Sequence, residues 1–507
     1  MSDIVQKLWG FCHNLRHDGI GYTEYVEQLT YLLFLKMADE KGLEMPRVDF
    51  APPREDGVKQ KADLRPCNWG TLTTLSGVEL LDGYTLILRT LGRQADLLGD
   101  IYSQSQSRFT KPTTLKQLIS RIDETEWTAL GVDVKAHAYE GLLEKAASEG
   151  KKGAGQLFTP RKLIDSIVAC LRPDPRANSQ FTICDPACGT GGFLVSAYEW
   201  LMSVTKDGGS LDRSVAKRIK AKTYFGQDIG ETPRRLALMN LVLHGLEPHI
   251  KLGDTIYEPA DGQRFDCILT NPPFGTKGAN QAPDRDDFTI ATSNKQLNFV
   301  QHVLTVLKDG GRAAVVLPDN CLFADQAGEV FKILTEDCRL HTVLRLPRGT
   351  FTPYSTGVKA NVVFFTKGEP TDTVWIYDSR TNVPGITKKD RPLTREHFAE
   401  FEACYGDDPH GRSKRKEKDS PPEKGWLGGD RWRKFSLKEI KDRDFKLDGF
   451  KWLKEESLDD ADDLPEPEEL ATDAIAELEG AVEELNAILA LLENGSGVEA
   501  VAAGAAK

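Results

Sequence analysis

A chain of 507 residues with 40% hydrophobic content has room for two or three domains, at about 150 residues each, and for a full buried core. Its net charge of −12 argues against a protein that grips DNA unaided, which would usually carry a strong basic patch. No run is long and apolar enough to span a bilayer, the N-terminus does not read as a secretory signal, and the nine cysteines include no C-x-x-C pair. Zinc and disulfide frameworks are therefore disfavoured. The expected setting is a reducing cytoplasm, with no metal and no membrane partner.

Residues 1 to about 145 read as helical, with Leu29, Leu32, Leu33 and Leu35 as core rather than site. From about 150 to 370 strands and helices alternate, which predicts an α/β fold on a Rossmann-like sheet. Phe181–Asp185 reads as a strand, Pro186–Leu194 as a glycine-rich turn and Val195–Met202 as a helix. Strand, glycine turn and helix open a nucleotide-binding sheet, because glycines admit positive φ and close backbone approach. The dinucleotide pattern G-x-G-x-x-G fails: after Gly189 and Gly191 the last position is Leu194. No Gly-Lys-Ser/Thr ends the turn, so a phosphate-gripping loop is disfavoured too. An adenosyl ligand without phosphates needs a glycine floor and no lysine.

Thr205–Lys220 reads as an elongated polar loop or helix, and Thr223–Asp228 as a second strand ending in an acid. A carboxylate there can hold both ribose hydroxyls. The helix Pro233–Leu243 follows, then a strand-like stretch ending at Gly253-Asp254, whose carboxylate would lie near the adenine. Phe265–Leu269 reads as a buried strand that runs into Asn271, Pro272, Pro273 and Phe274. Two successive prolines cannot extend a strand, since neither donates an N–H and both fix φ. The rigid turn presents an amide, a rim of carbonyls and an aromatic face. That set suits a planar amino group on a ring: two acceptors take its two N–H bonds and the aromatic ring stacks on the base. A C5-cytosine mechanism would need a cysteine nucleophile, typically after proline. Pro66-Cys67 is the only such dipeptide, and it falls outside the strand-turn framework.

Later strands are expected at Arg312–Leu317, His341–Leu346 and Asn361–Thr366. Residues 371–460 look less regular, with a basic cluster at Arg412–Lys416 beside Trp426, Trp432 and Trp452 that could touch DNA phosphates or simply be solvated. The final expectation is a helix over about 467–493, within a partner-binding segment 465–495. Ala471, Ile475, Leu478, Val482, Leu485, Leu489 and Leu492 follow an alternating four- and three-residue apolar spacing.

The motifs Asp185–Phe193 and Asn271–Phe274 together resemble amino-group DNA methyltransferases. More narrowly, the chain resembles the methylation (M) subunits of type I restriction–modification systems over nearly its whole length. Gly155–Arg161 resembles that family's cofactor segment, although Leu157 stands where an aromatic residue is frequent. Leu8-Trp9, Leu15-Arg16 and Tyr31–Lys36 resemble its helical domain, and Leu346–Phe351 a stretch after the catalytic motif. The resemblance implies an adenine-N6 methyltransferase using S-adenosyl-L-methionine, with a helical N-terminal domain and a C-terminal helical extension. It implies cofactor contacts from Gln156, Leu157, Phe158, Thr159, Pro160, Arg161, Asp185, Thr190, Gly191, Gly192, Asp228 and Asp254. Asn271 and the Pro272 carbonyl would bind the adenine amino group and Phe274 would stack on a flipped base. It further implies DNA as substrate, a specificity (S) subunit that reads the target, a restriction (R) subunit for cleavage and two M per S. A protein-glutamine or RNA amino methyltransferase shares the Asn-Pro-Pro turn but usually lacks the helical arms. A cofactor-binding scaffold without turnover is the non-enzymatic alternative.

Overall fold

The computed structural model describes residues 6, 8–10, 12, 19–51, 61–127, 129–130, 132–149, 158–208, 211–274, 281–352, 357–415, 431–447 and 452–453. The expected helix over 467–493 lies outside the described residues, as do Gln156 and Leu157.

The N-terminal region is helical, as its composition implies. The helix Tyr22–Glu40 buries Tyr25, Leu29, Leu32, Leu33 and Leu35 completely or nearly so. Apolar residues lie on several of its faces rather than in one stripe, which fits a central helix with neighbours all round. It packs against Trp69–Thr74, Pro112–Asp123, Val132–Glu149 and, across the domain junction, Glu231–Leu243. A two-stranded antiparallel ribbon, β1 (Arg47–Asp49) and β2 (Leu64–Pro66), closes this region.

One sheet organises the rest. Its strands are β3 (Ile183–Asp185), β4 (Tyr224–Asp228), β5 (His249–Leu252), β6 (Phe265–Thr270), β7 (Leu307–Pro318), β8 (Cys338–Arg345), β9 (Ala360–Lys367), β10 (Thr373–Asp378) and β11 (Trp432–Ser436). Among the described residues their order is β11-β10-β8-β9-β7-β6-β3-β4-β5. The run β5 to β7 is parallel, while β9 lies antiparallel between β7 and β8. The near-continuous apolar runs Ala313–Leu317 and Asn361–Phe365 follow from burial on both sheet faces. Successive residues serve opposite faces: Ala314, Val316, Val362 and Phe364 join one core, and Ala313, Val315, Val363 and Phe365 the other.

The region 371–460, expected to be irregular, supplies β10, β11 and the helix Glu396–Tyr405. Its basic cluster is partly committed to the fold. Arg415 lies over the rings of Tyr405 and Trp432 and donates to the Tyr405 and His341 carbonyls, and burial lowers its guanidinium to about 10. Arg412 pairs with Glu369, and Trp432 stacks on Trp375 within the sheet. Those tryptophans are held by packing; Lys416 and Trp426 lie outside the described residues.

Two features of this fold position the site. From β3 the chain winds outward to β4 and β5, then returns to β6 on the other side. The strand order therefore reverses between β3 and β6, and ligands of doubly wound sheets bind at the carboxyl ends of such a switch point. The helical domain is also pinned to the sheet layer by charge. Arg235, buried on Glu231–Leu243, pairs with Glu27 and donates to the Ile101 carbonyl at 2.7 Å and to the Ser103 carbonyl. Glu27→Ala leaves that guanidinium buried without its countercharge. The expected cost is about 3–5 kcal/mol, read as a lower denaturant midpoint for unfolding.

Candidate active site

The glycine turn sits where β3 ends. Gly189 and Gly191 take φ of 51° and 81°, and a Cβ on Gly191 would press on Ala237. Asp185, 1% exposed, closes the strand and accepts from the Ala187 N–H at 3.1 Å. Burial pushes its carboxyl up to about 7, and the neighbouring Asp228 charge adds to the shift. Asp228, at the end of β4, accepts from the Gly189 N–H at 3.0 Å and the Gly230 N–H at 2.9 Å. Its carboxylate therefore ties the glycine turn to the neighbouring strand end. Asp254 is turned to local work, capping the next turn through the N–H groups of Ile256 and Tyr257.

At the end of β6 the chain leaves the sheet at Pro272 and Pro273. Asn271 donates from Nδ2 to Thr159 Oγ1 at 3.0 Å, while its Oδ1 is buried with no partner among the described residues. Gln296, itself buried, donates to the Pro273 carbonyl at 3.0 Å and holds the turn from the opposite side. Phe274 meets Phe351 edge-on, with ring centroids 5.2 Å apart. Phe351 lies in Leu346–Phe351, which is anchored by the buried Arg380: that guanidinium donates to the Leu346 and Ala360 carbonyls and pairs with Asp319 at 2.6 Å.

A cavity of about 680 Å³, counting its open mouth, joins the two strand ends. Phe158, Thr159, Arg161, Asp185, Thr190, Gly192 and Asn271 line it, as the sequence leads one to expect. Pro160 lies buried behind this wall and starts the helix Arg161–Leu171, and Gly191 is buried beneath the turn. Pro272 is buried, Pro273 is exposed, and neither lines the cavity; nor do Phe274, Asp228 and Asp254. Sequence reasoning missed Asn240, Glu140, Leu143 and Glu144, which also line it. Asn240 donates to the Thr190 carbonyl at 3.0 Å and leaves a buried Oδ1 without a partner among the described residues. The other three reach in from Val132–Glu149, a helix whose residues carry no motif; only the packing of that helix onto the sheet layer puts them there.

Arg161 clasps these layers together. It pairs with Glu140 at 2.7 Å, Asp165 at 2.9 Å and Glu199, while Glu199 also meets His244 at 3.3 Å. Glu140, Glu199 and His244 form the one group among the described residues with metal-like spacing. The guanidinium already supplies the positive charge between the two carboxylates. Cys67, the residue a C5-cytosine mechanism would require, is buried in the helical region and does not line the cavity, and burial pushes its thiol up to about 11. Thiolate chemistry there is disfavoured.

The cavity thus offers buried acceptors and three carboxyl groups, Asp185, Glu140 and Glu144, with no lysine in its lining and with its guanidinium, Arg161, already paired to Glu140, Asp165 and Glu199. It suits a ligand rich in N–H donors and positive charge. Comparisons with known proteins identify the family. The N-6 DNA methylase family profile matches residues 131–461, and the profile of the N-terminal domain of type I methylase subunits matches residues 4–122. The EcoKI type I restriction enzyme methylase subunit of Escherichia coli (strain K12) is 39% identical, covering 96% of this chain and 95% of that protein. The StySPI methylase subunit of Salmonella potsdam is also 39% identical, covering 98% and 96%. The crystal structure of the EcoKI M protein aligns with a TM-score of 0.53 at 34% identity, covering 97% of this chain and 96% of that one. A chain from a structural study of type I restriction–modification complex assembly reaches 0.68 at 26% identity, covering 97% and 99%. With the sheet, the glycine turn and the Asn-Pro-Pro-Phe turn in place, the chain belongs to the family of type I restriction–modification methylase subunits, the adenine-specific N6 DNA methyltransferases.

Proposed function

We propose that the cavity binds S-adenosyl-L-methionine and that the Asn271 end of it receives an adenine swung out of duplex DNA. The observation that carries this is the buried Oδ1 of Asn271, a hydrogen-bond acceptor without a partner among the described residues, on a residue that lines a cavity at the switch point. Buried polar atoms are normally paired, so such an atom marks a place for a donor. An exocyclic amino group supplies one. When bound, the cofactor supplies an electrophilic methyl group on sulfonium. Asp185 would face its ammonium group, Asn240 and the backbone at Thr190 would line its methionine end, and Phe158 would close the wall. Asp228 would take the ribose by exchanging its present backbone contacts, and Asp254 would lie toward the adenine ring. Ile229, 69% exposed just beyond β4, offers a flat apolar surface for that ring. Gln156 and Leu157 complete the cofactor segment in this reading.

Asn271 Oδ1 and the Pro272 carbonyl would accept the two amino hydrogens of the substrate adenine. Accepting both draws the nitrogen lone pair out of conjugation and concentrates it on N6. Phe274 would hold the base plane by stacking. The rate gain then comes from positioning and fixed dipoles rather than from a covalent enzyme intermediate.

We also read the domains as 1–145 helical, 150–370 catalytic, 371–460 an edge extension and 465–495 a partner helix. The acidic chain would act with a specificity subunit that supplies target reading, two M per S, and with a restriction subunit for cleavage, in the cytoplasm. The EcoKI and StySPI relatives are themselves methylase subunits of type I restriction enzymes, which supports this assembly. The test is transfer of labelled methyl from S-adenosylmethionine to DNA, with and without co-expressed S, followed by nucleoside analysis. N6-methyladenine made only with S is the expected result. Label absent under both conditions, despite cofactor binding, would favour a scaffold or a non-DNA substrate.

A further inference from the structure

The wall that faces the cofactor also touches the turn that faces the base, and it does so through one side chain. Asn271 Nδ2 donates to Thr159 Oγ1 at 3.0 Å. That bond engages the donor side of the carboxamide and leaves its acceptor, the buried Oδ1, without a partner among the described residues. A threonine hydroxyl can accept or donate, so what the bond fixes is the plane and position of the carboxamide.

Thr159 is mounted to hold that plane. It precedes Pro160, so its backbone is restricted to extended conformations. The Pro160 carbonyl accepts from the N–H groups of Leu163 and Ile164 at 3.0 and 3.1 Å, starting a regular helix. The next residue, Arg161, is fixed by Glu140, Asp165 and Glu199. Thr159 is β-branched, so its χ1 is stiff. Across the turn, Gln296 holds the Pro273 carbonyl at 3.0 Å. Asn271 is thus gripped between two rigid elements that are distant in sequence.

We propose that Thr159 is a positioning residue for methyl transfer: its hydroxyl sets the plane and position of the Asn271 carboxamide so that Oδ1 meets the adenine amino group. This assigns the residue a task on the base side of the cavity, beyond the cofactor contact that its segment implies. The inference rests on the reading of Asn271 as the amino-group acceptor.

The experiment uses the complex of this chain with its specificity subunit, unmethylated DNA and labelled S-adenosylmethionine. Single-turnover rates at saturating cofactor are measured beside the cofactor Kd. Thr159→Val keeps the shape and removes the hydroxyl. Its rate at saturating cofactor falls about 100-fold, the scale of a small misplacement of a reacting group, whatever the accompanying change in Kd. Thr159→Ser returns the hydroxyl and recovers most of the lost rate. Thr159→Ala repeats the loss with no added bulk, should the valine variant fail to fold.

A Thr159→Val rate within about threefold of the parent overturns the proposal. So does a rise in Kd whose effect saturating cofactor abolishes, which would make Thr159 a cofactor contact only. A serine variant as slow as the valine one would show that the hydroxyl is not sufficient to place Asn271, and that too overturns the proposal. An Asn271→Ala variant that methylates adenine within about threefold of the parent rate would instead defeat the underlying reading of the site, whatever Thr159 does.

Discussion

Asn271→Ala is expected to lower the rate of methyl transfer by about 100- to 1,000-fold, the loss typical of removing one group that stabilises developing charge in a water-excluded site. The cofactor Kd should change by less than about threefold. The two halves of this result have separate causes. Oδ1 is the buried acceptor at the base end of the cavity, so its loss removes one of the two groups that draw the N6 lone pair out of the ring. The carboxyl that would meet the cofactor belongs to another strand end, at Asp185 on β3. The fold itself should hold: Asn271 stands after the last β6 residue and makes no ladder bond. Its side-chain bond goes to Thr159 alone among the described residues. Single-turnover kinetics with parallel equilibrium binding checks both halves. A variant that loses cofactor binding as well would put Asn271 in the cofactor pocket.

Asp185→Asn should weaken cofactor binding by about 10- to 100-fold, the worth of a charge-assisted hydrogen bond, and should flatten its pH dependence. In the parent protein burial holds the carboxyl near 7, well above its ordinary 3.8. A cationic ligand prefers the ionised form. Affinity should therefore fall about tenfold for each pH unit below 7 and level off above it. Stability of the free protein runs the other way. A carboxyl whose pKa is raised by folding costs nothing below pH 4, because folded and unfolded chains are then both protonated. Between about pH 4 and 7 the unfolded chain releases its proton first, and stability falls as pH rises. Above 7 the loss is complete. Cofactor titrations from pH 5.5 to 8.5, with thermal melts of the free protein over pH 4 to 8, test both signs. Asp185→Asn should remove this contribution from each. A cofactor affinity that stays flat from pH 5.5 to 8.5 in the parent would contradict the role of Asp185.

The strands and turns that carry chemistry were legible because local rules determine them. Phe181–Asp185 and Phe265–Leu269 are apolar runs cut off by glycines or prolines, and both appear as β3 and β6 within two residues of their expected ends. The Asn-Pro-Pro turn leaves the sheet where prolines have no N–H to donate. Positive φ at Gly189 and Gly191 follows from the same local logic. The edge strand β11 and its neighbour β10 were less legible. β11 has Arg433 and Lys434 at its centre, and its pairing with β10 depends on a long return of the chain.

By itself, then, the sequence determined the switch-point motifs, the core strands and the family, since each rests on the order and spacing of neighbouring residues. Tertiary structure alone decided which distant groups meet. It brought Glu140, Leu143 and Glu144 from a helix without motifs to the cavity wall, and it set Asn240 beside Thr190. It turned Asp254 to capping and Asp228 to the glycine turn. It also joined Thr159 to Asn271 across 112 positions of chain. Side-chain hydrogen bonds between elements form only within a narrow range of distance and angle, and that is set by how the elements pack, which no spacing rule along the chain conveys.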